Sequence, residues 1–94
     1  MTNPRHITEL IAAFQKVGKR PTLLKAFLVD ILTREEYEDL TLRLQILKLL
    51  KKGLPQRDIA KKLGVSIAKI TRGSRLLQNK KSGSWWNAVV RARR

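Results

Sequence analysis

This sequence predicts an all-α fold built around a helix-turn-helix, and three observations carry that expectation. Apolar residues recur at three- and four-residue spacings along most of the chain, and no stretch alternates like a half-buried strand. Helix punctuation falls between the periodic stretches, at Pro21, Gly53, Pro55 and Gly64. The segment QRDIAKKLGVSIAKITRGS reads as two short helices hinged at a glycine. The 94 residues are expected to form one domain of five to six helices. Residues 5–52 would hold the core and dimerisation helices, 56–78 the helix-turn-helix, and 79–94 a linker and a basic C-terminal helix or tail.

The first helix is expected from Arg5 to Val17, because Ile7, Leu10, Ile11, Phe14 and Val17 fall on one helical face. Gly18 and the Lys-Arg-Pro after it end that helix. Pro21 opens the second, where a missing N–H costs little. Leu23, Leu24, Phe27, Leu28, Ile31 and Leu32 coat the second helix on more than one side. A helix so coated is expected deep in a core or in a dimer interface. Thr33 and Glu36 have the Thr-x-x-Glu spacing of a capping box and open a long third helix. That helix runs through Leu40, Leu44, Leu47 and Leu50 to Lys51-Lys52, and Gly53 and Pro55 stop it. After the helix-turn-helix, residues 79–84 read as a polar linker. A last short helix is expected from about Ser84, with one of Trp85 and Trp86 in the core and the other at its edge. Arg91, Arg93 and Arg94 close the chain.

Within the helix-turn-helix, Ile59, Ala60 and Leu63 give the first helix an inward face, and Ala60 is small enough for close helix approach. Gly64 supplies a left-handed turn that other residues resist. Val65 plugs the turn, Ser66 caps the second helix, and Ile70 and Leu77 point inward. The second helix then offers Ile67, Ala68, Lys69, Thr71 and Arg72 on its first turns. A helix fits the major groove, and residues of its N-terminal turns reach base edges. Free N–H groups there also favour phosphate. The candidate DNA-contacting residues are therefore Gln56 and Arg57 at the start of the first helix, with Ser66, Ile67, Ala68, Lys69, Thr71 and Arg72.

Charge points the same way. Lys and Arg number 21 against 7 Asp and Glu, a formal charge of +14. A small fold carrying that charge repels itself and calls for an anionic partner, with double-stranded DNA first in line. No apolar run approaches the roughly 20 residues of a spanning helix. The opening MTNPRHITEL lacks an apolar signal core, so a cytoplasmic location and no membrane partner are expected. With no cysteine there is no disulfide framework and no thiolate metal site, and the lone His6 has no ligand partner at a useful spacing. Glu35, Glu36, Glu38 and Asp39 crowd the start of the third helix, where the helix dipole favours anions without any catalytic role. No phosphate loop, nucleophile elbow or metal motif is present, so the chain is not expected to be an enzyme.

The segment Leu32–Leu77 resembles the bacterial tryptophan repressor family. GVSIAKITRGS matches that family's turn and reading helix nearly residue for residue, and LTREEYEDLTLRLQILKLLKKG and QRDIAKKLG fit on either side of the loop before it. The tryptophan repressor is itself a standard example of helix-turn-helix docking on DNA. The resemblance implies an intertwined all-helical homodimer that binds L-tryptophan as corepressor and then a palindromic operator. By alignment, Arg43 and Arg72 match the arginines that sandwich the indole, and Arg72 also holds the carboxylate. Gly73 matches a position where backbone lies against the ligand. Leu32 and Thr33 match the segment that lines the pocket from the other subunit. Leu76 stands where some members have a serine near the ligand amino group, and Lys69 replaces a smaller polar residue on the reading face. The turn before Gln56 is one residue shorter, and the tail is more basic and richer in tryptophan than is usual in the family.

The sequence therefore predicts a dimeric repressor that binds DNA and L-tryptophan. The rival readings are a regulator of the same fold that does not sense tryptophan, and a basic protein associated with RNA or membrane. Operator binding measured with and without L-tryptophan separates them.

Overall fold

Helix boundaries in the computed structural model follow the punctuation of the sequence closely. The structure describes residues 1–79 and 83–90, without the side chains of Asn87 and Val90. Six helices are present among them: α1 (Pro4–Gly18), α2 (Pro21–Ile31), α3 (Arg34–Lys51), α4 (Gln56–Leu63), α5 (Ile67–Gln78) and α6 (Trp86–Val90). The expected C-terminal arginines Arg91, Arg93 and Arg94 lie outside the described residues, as do Lys80, Lys81 and Ser82 of the expected linker. No described helix is long and apolar enough to cross a membrane. The chain clusters into two compact units, Met1–Glu38 and Asp39–Arg94. That cut falls inside α3 and not in the loop before Gln56.

The first unit is a pair of helices entered through prolines. Asn3 caps α1 by accepting from the Arg5 N–H at 2.8 Å, and Pro4 occupies a position whose N–H would be unpaired in any case. Phe14 and Phe27 meet edge to face at 5.3 Å between centroids and pin α1 to α2. The second helix is expected in a core or in a dimer interface, and a single chain does not supply the core. No residue of α1 or α2 is buried, and Ile7, Leu10, Ile11, Leu23, Val29 and Ile31 are exposed. The physical reason is geometric: two short helices cover one stripe of each other, and α2 is apolar on more than one side. The capping box forms in both directions. Thr33 N–H donates to Glu36 Oε1 at 2.8 Å, and Glu36 N–H donates to Thr33 Oγ1 at 3.1 Å.

The second unit is organised by a small core. Ile46 of α3, Ile59 of α4 and Ile70 of α5 are buried together, with Leu49, Leu50, Leu54, Ala60, Leu63 and Val65 packed around them. Gly53 ends α3 with φ +92°, and the Leu54 N–H returns to the Leu49 carbonyl at 3.2 Å. Gly64 ends α4 with φ +67° and ψ +37°, and its N–H donates to the Ala60 carbonyl at 2.8 Å. Ser66 Oγ then accepts from the Lys69 N–H at 3.4 Å and caps α5. Of the tandem tryptophans, Trp86 is buried and Trp85 is exposed, their rings meeting at 5.0 Å and 73°. Lys51 Nζ lies 5.9 Å from the Trp86 ring centroid, tying the end of α3 to α6.

Gly64 and Gly18 make opposite predictions. A Cβ at either meets nothing within 4 Å, but only Gly64 has a left-handed backbone. Gly64→Ala is expected to destabilise the chain by about 1–2 kcal/mol. Gly18→Ala is expected to be neutral or to stabilise by up to about 1 kcal/mol. Urea midpoints of the two variants check this, and equal effects would contradict the role given to the turn.

Candidate functional site

Because Ile46 and Ile70 share one core, the outer faces of α3 and α5 stand side by side, and a half-open cleft of about 440 Å³ lies between them. From α3 come Arg43, Ile46 and Leu47, and from α5 come Lys69, Arg72, Gly73, Arg75 and Leu76, with Asn79 at its end. The residues of α5 follow helical periodicity: 69, 72, 73 and 76 are i, i+3, i+4 and i+7 on one face. Four of the six residues expected at a ligand, Arg43, Arg72, Gly73 and Leu76, are thus brought together in one cleft. Leu32 and Thr33 are not among its lining residues; they belong to the other unit, where Thr33 is engaged in the capping box. Sequence reasoning missed Ile46, Leu47, Lys69, Arg75 and Asn79 as lining residues. The signal that finds them is the same helical spacing, extended one turn from Arg43 and one or two turns from Arg72.

The cleft combines apolar walls, Ile46, Leu47 and Leu76, with guanidinium groups from both helices. Guanidinium planes stack on aromatic faces and pair with carboxylates. The arrangement therefore suits a flat apolar molecule that carries an anion.

Gly73 has a structural reason beyond ligand access. A Cβ built there would sit 3.1 Å from Ile46 Cγ2 and 3.3 Å from Leu50 Cδ1. The missing side chain is what lets α5 lie against α3.

The start of α5 presents a second surface. Ser66, Ile67, Ala68, Lys69 and Arg72 are exposed, while Thr71 is half-buried. On α4, Arg57 is exposed and Gln56 half-buried. Thr71 Oγ1 lies 3.0 Å from the Ile67 carbonyl and 3.3 Å from Gln56 Oε1, so its one proton is shared between two acceptors. The pair ties the opening of α4 to that of α5, which the sequence did not reveal. Lys69 also differs from the free side chain expected on a reading face. Its Nζ lies 3.5 Å from Asp39 Oδ1 of α3, and the pair is about half exposed. The third helix places Asp39 one turn ahead of Arg43, facing the first turn of α5, and the unlike charges meet there. An ion pair so exposed holds weakly and gives way to a competing anion.

A family model described as "Trp repressor protein" matches residues 5–91. This chain belongs to the Trp repressor family. Similar proteins named "Trp operon repressor homolog" include one from Xylella fastidiosa (strain M23), 53% identical over 57 residues, or 60% of this chain and 62% of that protein. Another, from Actinobacillus succinogenes, is 49% identical over 73 residues, or 77% of this chain and 67% of that protein. A third, from Haemophilus influenzae (strain PittEE), is 39% identical over 64 residues, or 67% of this chain and 63% of that protein. The chain thus spans about three fifths of the length of the first curated relatives it matches. No solved structure matches it. The Trp repressor family is one of transcription regulators and not of enzymes, and the all-helical architecture described above is its fold.

Within the Trp repressor frame, the Gly73 contact yields a direct test. Gly73→Ala sets a methyl group 3.1 Å from Ile46 Cγ2 and 3.3 Å from Leu50 Cδ1, so crowding is expected to cancel the gain of about 1 kcal/mol that Ala gives over Gly inside a helix. Denaturant unfolding of the variant checks this, and a stabilisation by the full amount, about 1 kcal/mol, would contradict the close packing of α5 on α3.

Proposed function

We propose that this chain is one subunit of a homodimeric, DNA-binding transcriptional repressor whose operator affinity is raised by L-tryptophan. The observation that carries the proposal is the double use of α5. Its residues Lys69, Arg72, Gly73 and Leu76 line the cleft, while Ile67, Ala68, Lys69 and Arg72 of its first turns form the exposed surface suited to a DNA groove. A ligand seated in the cleft touches the reading helix directly.

In this account the indole lies between the Arg43 and Arg72 planes, Arg72 holds the carboxylate, and Gly73 lets backbone approach the ring. The partner subunit's Leu32 and Thr33 complete the pocket. The two reading helices of the dimer enter successive major grooves of a palindromic operator. Lys69, Ile67, Ala68 and Thr71 face base edges, Arg57 reaches a guanine edge or a phosphate, Ser66 and Gln56 lie along the backbone, and Arg72 serves both ligand and phosphate. L-tryptophan acts as corepressor because it binds the DNA-competent arrangement better than the alternative, without which it shifts nothing.

The dimer rests on α1 and α2, whose apolar residues a single chain leaves exposed. A second copy covering them removes that surface from water. Sedimentation at micromolar concentration is expected to show a dimer, and a folded monomer there would sink the assembly.

The switch is tested on a duplex selected by the protein from a random-sequence pool in the presence of L-tryptophan. Wild-type protein is expected to bind that duplex more tightly when millimolar L-tryptophan is added. Arg43→Ala loses the increase but keeps weak binding that falls with salt, at a log–log slope of roughly −0.9 per phosphate neutralised. Arg72→Ala weakens both. A full tryptophan response in Arg43→Ala would refute the site.

A further inference from the structure

We infer that Asp39 of α3 is a positioning residue for the DNA-contacting surface: it neutralises and holds the Lys69 ammonium, so that Lys69 reads a base edge instead of anchoring on a phosphate. The inference rests on the reading of α5 as the DNA-contacting helix and deepens it.

The geometry comes first. Lys69 is the third residue of α5, and its N–H donates to the capping Ser66 Oγ at 3.4 Å, which fixes its backbone at the start of the exposed turns. Its side chain crosses to α3, where Nζ lies 3.5 Å from Asp39 Oδ1. The two side chains are 53% and 48% exposed, so the pair stands at the surface, open to whatever docks there. Asp39 and Asp58 are the only acids from residue 39 to residue 79, a stretch crowded with Lys and Arg. Among the described residues, neither Arg57 nor Arg72 is paired with an acid. One of the two scarce carboxylates thus meets the lysine of the reading surface.

The chemistry follows from that pairing. A free lysine is a compact point charge on a flexible stem, and on a DNA-binding surface it is drawn to phosphate. Phosphate contacts fix register but carry no sequence information. A carboxylate beside the ammonium opposes that pull. Moving Lys69 to a phosphate also leaves Asp39 bare against the negative DNA, and the cation that Asp39 then attracts offsets the counterion released. An ammonium has three donors, and contact with one carboxylate oxygen occupies one of them. Two donors stay available on a head that is held in place. Guanine offers N7 and O6 in the major groove as acceptors for such a donor set.

Asp39→Asn removes the charge at nearly constant shape and frees Lys69. Duplex titrations over a range of salt, in the buffer used for selection, compare the selected duplex with one of scrambled sequence. The variant is expected to bind the scrambled duplex about two- to fivefold more tightly at low salt, the strength of an exposed ion pair. Its log–log slope on that duplex steepens by roughly 0.9 for each Lys69 that reaches a phosphate. The selected duplex gains less, so discrimination between the two falls. Asp39→Glu keeps the charge and is expected to keep the wild-type discrimination. In a Lys69→Ala background, Asp39→Asn relieves only repulsion between Asp39 and DNA, and both duplexes gain alike. An equal gain on both duplexes in the Asp39→Asn single variant overturns the inference, because a general charge effect then explains it. Loss of discrimination that persists without Lys69 overturns it too. Both results leave DNA binding by α5 standing. Absence of duplex binding by the wild-type chain overturns the inference and that reading together.

Discussion

The contact among Ile46, Ile59 and Ile70 is the constraint on which the second unit depends. Each of the three side chains is at most 2% exposed, and each belongs to a different helix. They hold α3, α4 and α5 at one junction, with the left-handed Gly64 turning the chain between the last two. Close approach of α5 to α3 follows from the same junction, since Gly73 leaves room for Ile46 and Leu50. A core this small has little redundancy. Loss of any one of these isoleucines removes a full contact from each of the other two.

That junction also links the cleft to the reading surface. Ile46 belongs at once to the core and to the cleft wall, so the floor of the cleft is the core itself. A molecule that fills the cleft bears on the outer face of α5, and the first turns of the same rigid helix carry the exposed residues proposed to meet DNA. No long chain of intermediaries is needed between the two surfaces. Lys69 stands where they join, lining the cleft, projecting from the first turn of α5 and resting on Asp39.

Much of this was legible in the residues. Backbone signals were read most securely, because each is local: the Thr33–Glu36 capping box, the Gly53 and Gly64 terminators and the Ser66 cap all formed as the spacing implied. The Arg43–Arg72–Gly73–Leu76 grouping came from a resemblance and appears in one cleft. What stayed hidden depends on tertiary approach. Lys69 and Asp39 are 30 residues apart, and nothing in their local sequence says that they meet. Gln56 and Thr71 are likewise joined only once α4 and α5 have folded together. Ala60 was singled out for close helix approach and packs on the core, while the close approach at Gly73, against α3, was not read from the sequence. The burial expected of α2 is absent within one chain, because amphipathic patterning records that a surface avoids water but not which molecule covers it.

If α5 is the shared element, ligand and DNA must help each other by the same factor, since the coupling between two binding sites is reciprocal. The most direct measurement is the dissociation constant of L-tryptophan, with and without a saturating duplex selected by the protein. The account predicts that duplex tightens L-tryptophan binding by the same factor by which L-tryptophan tightens duplex binding. An L-tryptophan affinity that is unchanged by duplex would contradict it.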